Sequence, residues 1–592
     1  MKNISIKLIV VLAVVFLQSC ETYLEEENPN ALSSSTYWQN LDQSNKNLTS
    51  VYGAMLNPFI ISVGEESLRS DFAFPGNRAD VRTGNGLLLF YKQTINEDNS
   101  VINSRWDALY RVIFRANQVI DGLNGMTESL KNQDLWAEQM GQARFFRGLA
   151  HFYLHSVYNK GEIVIRDFVP ATTEDFSKPL STSEEVKEFF RADLLYAYDN
   201  LPNSFPEKTR VTKGTAATIL GTSFLYSASE EGIAADYQIA KTYFNDVITG
   251  PYGYQLVQDA SIMFTAAGDY NSESILEINY STNQQIEDDN GDVESFFTEN
   301  ARLSAPRAGG GANPFNQWTP SAWLINAYAN ESLDVTDARN TVIDPITGLP
   351  RTRTVSLRSS AMIAMVNDED VQYYKAYSAP VLQNFAQGGK YANFKKYTNH
   401  DITDNESNLG ATNFKSGKNV ILNRLADVYL MYAECLIMAD NNVSSAIENY
   451  INPVRKRWGL TLLDPSASLV DATPYTQTSL MNHLMFVERP LELSTEGFSI
   501  RNIDLRRWGV AAQRFNDLST LDFYVTDYNY YDPAVNGTAT GADCFVQFGI
   551  SPDPVADPQI EREHVDAAKF YTDGYFPLPT SETLNNSEVT GG

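Results

Sequence analysis

Cysteine is nearly absent from this chain: three residues in 592, at Cys20, Cys435 and Cys544. With no framework spacing among them, a disulfide-stapled scaffold is excluded and no disulfide is expected. Long apolar runs are also missing. Beyond residue 20 no segment approaches the ~18 uncharged apolar residues that a membrane-spanning helix requires. Positive charge is scarce, with 45 Lys and Arg against 73 Asp and Glu and a net charge of −28, so polyanions are repelled at long range and nucleic acid is not an expected partner.

Catalytic signatures are missing too. There is no G-x-S-x-G elbow, phosphate loop or dinucleotide fingerprint, and no catalytic residue or cofactor is assigned. His151 and His155 have the i, i+4 spacing that lets two imidazoles share a metal, but Phe152-Tyr153-Leu154 between them lacks the glutamate of a metalloprotease and no third ligand is evident. The acidic stretch from Glu287 to Asp292 fails the spacing of a calcium-binding EF-hand. No metal site is assigned. A carboxylate pair for glycoside hydrolysis is a matter of spatial separation and cannot be picked out by eye among 73 acidic residues.

What is present begins at the N-terminus. Lys2 and Lys7 give a positive start, Leu8 to Leu17 an apolar run too short for a mature span, and Ser19-Cys20 a small residue followed by a thiol. This is the pattern of a bacterial lipoprotein signal, the competing readings being a secretory signal with an incidental cysteine or an apolar start of a cytosolic protein. Residues 1–19 are then a signal peptide, and Cys20 carries the lipid that holds the mature chain in a leaflet. Losing Lys2 and Lys7 takes the net charge from −28 to about −30. The acidic, proline-containing stretch Glu21 to Asn30 reads as an extended tether, assigned to residues 20–35, ahead of a single domain over 36–592.

Helical periodicity dominates that domain. Met140, Ala143, Phe146, Ala150, Tyr153 and Val157 recur at threes and fours within Trp136 to Tyr158, and Gly148 and Ala150 are small enough for a partner helix to approach closely. Thr215 to Ala228 and Asp236 to Ile248 read as one helix pair, Asn423 to Ala439 and Val443 to Trp458 as another. Such units look like tetratricopeptide repeats at irregular spacing, so large insertions must separate them. Residues 258–417 and 517–573 are rich in Gly, Asn, Asp, Pro and aromatics, with one strand-like alternation from Ser274 to Tyr280. The expected fold is mainly α, helix pairs as scaffold and loop-rich insertions with minor β structure. Long loops on a helical scaffold are where binding surfaces usually sit.

Six blocks then occur in order. They are Ala143-Arg144-Phe145-Phe146-Arg147-Gly148 running on to Leu154, Val211-Thr212-Lys213-Gly214-Thr215-Ala216-Ala217, Asn423-Arg424-Leu425-Ala426-Asp427-Val428-Tyr429 running on to Glu434, Ile451-Asn452-Pro453-Val454-Arg455-Lys456-Arg457, Glu488-Arg489-Pro490-Leu491-Glu492-Leu493 with Glu496-Gly497, and Arg501 to Gly509. Together, behind a lipoprotein signal and over nearly all of the mature chain, they resemble the SusD/RagB family of outer-membrane nutrient-binding lipoproteins. Two departures are a wider gap between Gly497 and Arg501 and the lack of an asparagine-proline-glycine ending after Phe576-Pro577-Leu578-Pro579. Glu488, Glu492 and Glu496 fall on one helical face with Arg501, Arg506 and Arg507 close behind, which predicts an interior ion network rather than reactive carboxylates.

The resemblance implies a SusD-like fold and an outer-surface protein, not an enzyme, that acts as the lid of a SusC-like TonB-dependent transporter and captures glycan for import. Peptide capture, as in RagB-like members, is the alternative, and a surface glycosidase a more distant one. It further implies two ligand regions: Asp71, Arg78, Asp80, Arg82, Phe90 and Tyr91, and then Arg307, Phe315, Asn316 and Trp318 ahead of a helix from Ala322 to Tyr328. Sugar rings stack their C–H faces on aromatics and bind hydroxyls through such polar side chains; packing in the core is the competing role for each residue. Replacing Cys20 (Cys20→Ala) should leave ligand binding by the purified protein unchanged yet release it from the membrane fraction on cell fractionation; normal retention would remove the anchor.

Overall fold

The computed structural model describes residues 38–75, 86–282, 295–305, 316–344, 347–365, 368, 373–375, 392–404, 406, 415–525, 548–550 and 563–589. The signal, Cys20, the tether, the acidic stretch at 287–292 and Cys544 lie outside these residues. Cys435 is a buried free thiol. No helix among the described residues is long and apolar enough to cross a membrane.

Seven long helices form a row in which each packs on the next: α1 (Leu41–Ala54), α2 (Ser100–Asn124), α3 (Asp134–Val157), α4 (Ser183–Asn200), α5 (Lys213–Glu230), α6 (Ala234–Thr249) and α7 (Leu425–Asp440). Local sequence starts them cleanly. Asn99 accepts from the backbone N–H of Val101 and Ile102 at the head of α2, and capping boxes open α4 (Thr182 with Glu185) and α5 (Thr212 with Thr215). On α2 the buried residues Ile102, Trp106, Leu109, Ile113, Ala116 and Ile120 trace one stripe. Gly148 lets α3 and α4 touch, because a methyl group there would stand 3.0 Å from the carbonyl oxygen of Phe190 and 3.1 Å from Leu194.

The widest gap in this row lies between α6 and α7, which pack together although the whole stretch from Gly250 to Arg424 lies between them. The expected insertion over 258–417 falls inside this excursion. Its base is closed by an antiparallel pair, and short strands of this kind are labelled here β1 (Ala73–Pro75), β2 (Ser274–Ile278), β3 (Trp318–Pro320), β4 (Ala392–Phe394) and β5 (Val420–Arg424). β2 leaves the scaffold and β5 returns to it, paired from Ser274 with Arg424 to Ile278 with Val420. The expected strand at Ser274 to Tyr280 is β2.

The expected helix from Val443 to Trp458 is interrupted. Ala446–Ile451 is a wide π-turn ahead of Asn452–Arg457, and Leu484–Glu488 is another ahead of Arg489–Leu493. Each precedes a proline, Pro453 or Pro490, whose ring would clash with the carbonyl four residues back in a regular α-helix; the wide turn relieves the clash.

Buried charge ties the second half together. Arg424, at the end of β5, bonds to Glu273 and Glu492 at 2.8 Å and to Glu496 at 2.6 Å. Arg457 joins Glu273 to Glu492, Trp458 Nε1 donates to Glu492 at 2.7 Å, and Lys396 reaches Glu496. Arg358 links Glu331 to Glu488, which Arg455 also meets at 2.6 Å. Among the described residues the network is neutral, with five carboxylates (Glu273, Glu331, Glu488, Glu492, Glu496) facing five cations (Arg358, Lys396, Arg424, Arg455, Arg457). The interior network expected from the sequence is there, with different partners: Arg501, Arg506 and Arg507 bond to Asp71, Glu230 and Glu434. Nor do the three glutamates share one helix, since the helix ends at Leu493 and the chain then turns through left-handed residues at Thr495, Gly497 and Ser499.

Burial alone would raise the Glu492 carboxyl, but Arg457, Arg424 and Arg358 override it and hold it down at about 2; Arg69 and Arg105 do the same for Glu66. A carboxyl depressed in the fold contributes stability above its unfolded pKa that is lost as pH falls through the folded value. Thermal melts should therefore show Tm falling as pH drops from ~4.5 toward ~2. At pH 7, Arg424→Met should destabilise by about 3–5 kcal/mol in urea titrations, because three carboxylates lose a shared buried partner. A flat Tm through that pH window, or an unchanged urea midpoint, would contradict the network's role.

Candidate functional site

Residues far apart in sequence, 71–75 and 90–91 on one side and 316–323 on the other, meet at one place. β1 and β3 pair antiparallel, with Ala73 opposite Pro320, Phe74 opposite Thr319 and Pro75 opposite Trp318. The pairing continues past the strands: Ser321 donates from its N–H to the Phe72 carbonyl at 2.8 Å and from its hydroxyl to the Asp71 carbonyl at 2.7 Å, which Trp323 Nε1 also reaches. β4 packs beside β3 and brings Phe394 to 4.7 Å from the Trp318 ring. From the C-terminal region the N–H of His564 donates to the Tyr91 hydroxyl at 2.7 Å, and Glu563 accepts from the N–H of Ala322 at the head of the helix Ala322–Ala329. These elements make a small aromatic platform, from which residues 76–85 continue in sequence after β1 and into which residues 306–315 lead before β3.

Asp71 anchors it. Both of its carboxylate oxygens are taken, by Arg501 Nε and Nη2 and by Arg514 Nε, each at 2.8 Å. Burial works to raise this carboxyl, but the two guanidinium groups prevail and hold it below the usual carboxylate range. Its carbonyl is bonded as well, so a fully buried Asp71 has its hydrogen-bonding capacity turned inward.

Of the residues assigned to the ligand regions, the structure places five in the floor of the platform. Phe90 is buried against Phe576, Tyr91 packs edge-on to Phe74 at 5.3 Å, and Trp318 has no exposed surface. Gly64 lies so close beneath Trp318 that a methyl group there would stand 3.1 Å from Nε1. Asn316 is 2% exposed in a left-handed conformation, its amide without a hydrogen-bond partner among the described residues. Asp71 completes the five. As described, each of them packs or pairs within the protein. Arg78, Asp80, Arg82, Arg307 and Phe315 lie outside the described residues.

Sequence reasoning did not bring Arg501, Arg514, Phe394 or His564 to this platform. The Arg501–Asp71 bond spans 430 positions and the His564–Tyr91 bond 473, which no local pattern reveals. His151 and His155 do not converge on a metal: His151 Nδ1 is bonded to the Arg147 carbonyl oxygen at 2.8 Å, and His155 Nε2 to the Ser183 hydroxyl at 2.8 Å. Burial depresses both imidazoles to about 3, so both are neutral at physiological pH. Among the described residues no group of three or more His, Cys, Asp or Glu side chains is placed to hold a metal ion.

Comparison with known proteins agrees with this architecture. Residues 272–591 match the family model described as the SusD family, and residues 22–225 match one described as starch-binding associating with outer membrane. A SusD-like protein of Formosa agariphila is 24% identical over 88% of this chain and 91% of its own length. One from Bacteroides ovatus is also 24% identical, over 60% of this chain, and the match spans 59% of that relative. A solved structure described as a laminarin-binding SusD-like protein superposes with a TM-score of 0.63, at 20% identity, over 93% of this chain and 98% of that one.

Replacing Asp71 with alanine (Asp71→Ala) would leave Arg501 and Arg514 buried without their carboxylate, a loss of about 3–5 kcal/mol. In a urea titration at pH 7 the midpoint should drop accordingly; a midpoint equal to that of the wild type would show that the platform does not depend on this pair.

Proposed function

This chain belongs to the SusD family, and on that premise we propose that it captures oligo- or polysaccharide at the outer face of the outer membrane and delivers it to a SusC-like TonB-dependent transporter. The lipid on Cys20 keeps it beside that transporter. The observation that supports the reading is the β1–β3 pairing, which joins Ala73–Pro75 to Trp318–Pro320 although 245 positions separate Phe74 from Thr319. Further support comes from the outer-membrane starch-binding description matched by residues 22–225 and from the laminarin-binding relative of the same fold.

The division of labour follows from burial. Asp71, Phe90, Tyr91, Asn316 and Trp318 form a rigid floor. Arg78, Asp80, Arg82, Arg307 and Phe315 belong to the segments that continue from this floor in sequence, and in this reading they contact the sugar: Phe315 offers a ring face to the C–H face of a pyranose, the charged groups hydrogen-bond to hydroxyls. A carrier needs no reacting group, only affinity that can be released.

Affinity electrophoresis and calorimetry of the mature protein against starch, laminarin, xyloglucan and other polysaccharides test this. At least one should be retained, without release of reducing ends, and Phe315→Ala with Arg78→Ala should weaken that binding by about tenfold or more, the ~1.4 kcal/mol expected of lost stacking and hydrogen bonds. Release of reducing ends would make the protein a glycosidase. Binding confined to peptides would move the assignment to peptide capture.

A further inference from the structure

A second concave surface lies apart from the platform, on the side of α1. It has two adjoining chambers of about 450 and 370 Å3, both within the ~300–1,000 Å3 typical of small-ligand sites. The chambers share Arg210, Tyr270, Glu207 and Glu277 in their walls, so they form one elongated groove between α1, the loop before α5 and the edge of β2. No described residue of the β1–β3 platform lines either chamber.

The walls are built rather than incidental. Tyr52 is half-buried, and its hydroxyl both donates to Gln142 Oε1 at 2.7 Å and accepts from the N–H of Val211 at 3.1 Å, while its ring rests edge-on against Phe146. The ring is thereby fixed, and the guanidinium of Arg210 stands 5.2 Å from its centroid. Arg210 is held by Gln142 Oε1 at 3.3 Å and Asn45 Oδ1 at 3.0 Å. Among the described residues it forms no ion pair, which leaves most of its five N–H donors for an occupant.

Tyr270 stands at the junction of the chambers with φ of +54°, a left-handed conformation that costs a tyrosine of order 1 kcal/mol or more. Two bonds enforce it: the Tyr270 N–H donates to the Glu277 carboxylate at 3.2 Å, and Lys208 Nζ donates to the Tyr270 carbonyl at 3.3 Å. Asn419 in turn fixes Glu277 from the other side at 2.7 Å. Strain maintained by three flanking groups keeps this half-buried ring in the groove wall. Tyr280, also half-buried, follows along the larger chamber.

Charge selects the class of occupant. Among the described residues, the charged side chains that line the groove are Glu207, Glu277, Lys208 and Arg210, two of each sign, in a chain whose net charge is −28. A locally neutral groove with fixed ring faces, a forked donor and a fixed carboxylate acceptor complements an uncharged, polyhydroxylated chain with flat C–H faces. We propose that the Tyr52–Arg210–Tyr270 groove is a second saccharide-binding track that takes a neutral oligosaccharide. The proposal rests on the glycan-binding reading and places a contact that reading does not contain.

The test uses the mature full-length protein and three uncharged probes, maltoheptaose, laminarihexaose and a xyloglucan oligosaccharide. Hydrogen exchange should slow on adding the bound probe in peptides covering 203–212 and 268–281. Tyr270→Ala should abolish that protection and weaken affinity about tenfold, Arg210→Met should do the same, and Tyr270→Phe should retain both, with Tm of every variant matching the wild type. Retention of a probe or polysaccharide with no protection there, and an affinity unaltered by Tyr270→Ala and Arg210→Met, would overturn the groove while leaving the glycan-binding reading in place. Failure of every uncharged saccharide to bind would overturn both. Protection of the same peptides by an oligopeptide instead of a saccharide would also overturn the proposal.

Discussion

Arg424 is the point on which the second half of the molecule depends. A guanidinium with 1% of its side chain exposed cannot be left in the interior without carboxylates around it, and its three come from three places: Glu273 at the start of the excursion, Glu492 beside Pro490 and Glu496 past the end of that helix. Satisfying one cation therefore fixes where the long insertion departs, where it returns and how the 488–496 segment lies across both. Each glutamate is held in turn by another cation, Arg457, Arg358 or Lys396, so the constraint spreads until five charges of each sign are matched. A second cluster extends it to α7 and α5, where Arg489 bonds to Asp427 and Asp504, and Arg507 to Asp504, Glu434 and the Ser229 hydroxyl. Such networks hold one arrangement against others more than they add net stability.

This explains why the charged blocks of the sequence say so much about fold and so little about ligand. They point inward. Side chains that are only half-committed lie elsewhere, among the described residues at Tyr270 and Glu277 beside the base of the β2–β5 pair, whereas β1 and β3 are buried throughout.

How much the sequence revealed divides along the range of the interactions. Periodicity over a few turns was enough for α3, α5, α6 and α7, and alternation over seven residues for β2, because burial of one face repeats within a short window. The glutamates at 488, 492 and 496 were legible as an interior network, since three carboxylates beside an apolar run require partners. Their actual partners were not legible, because Arg358 and Lys396 reach them from within the insertion, more than 90 positions upstream. Asp71 and Trp318 show the same limit. Both stand near loop-like sequence without a clear period, and both are sealed by residues from other elements, Asp71 by Arg501 430 positions on and Trp318 by Phe394 of β4. The π-turns before Pro453 and Pro490 arise from local chemistry, yet a proline within a helical pattern signals only a disturbance, not the form it takes.

The α6–α7 contact has a consequence in time. Helices α1 to α6 each stack on the next long helix along the chain, so they can assemble as soon as each emerges during synthesis. α7 cannot join until the chain from Gly250 to Arg424 has emerged, and even then its docking buries Arg424, which waits for Glu492 and Glu496 still further on. Closing so long a loop costs only a few RT more than closing a short one, but the closing contact is late and non-local. The molecule is thus expected to fold from its N-terminal end, with the buried ion cluster completed late and the contacts of Arg501, Arg514 and His564 with Asp71 and Tyr91 later still.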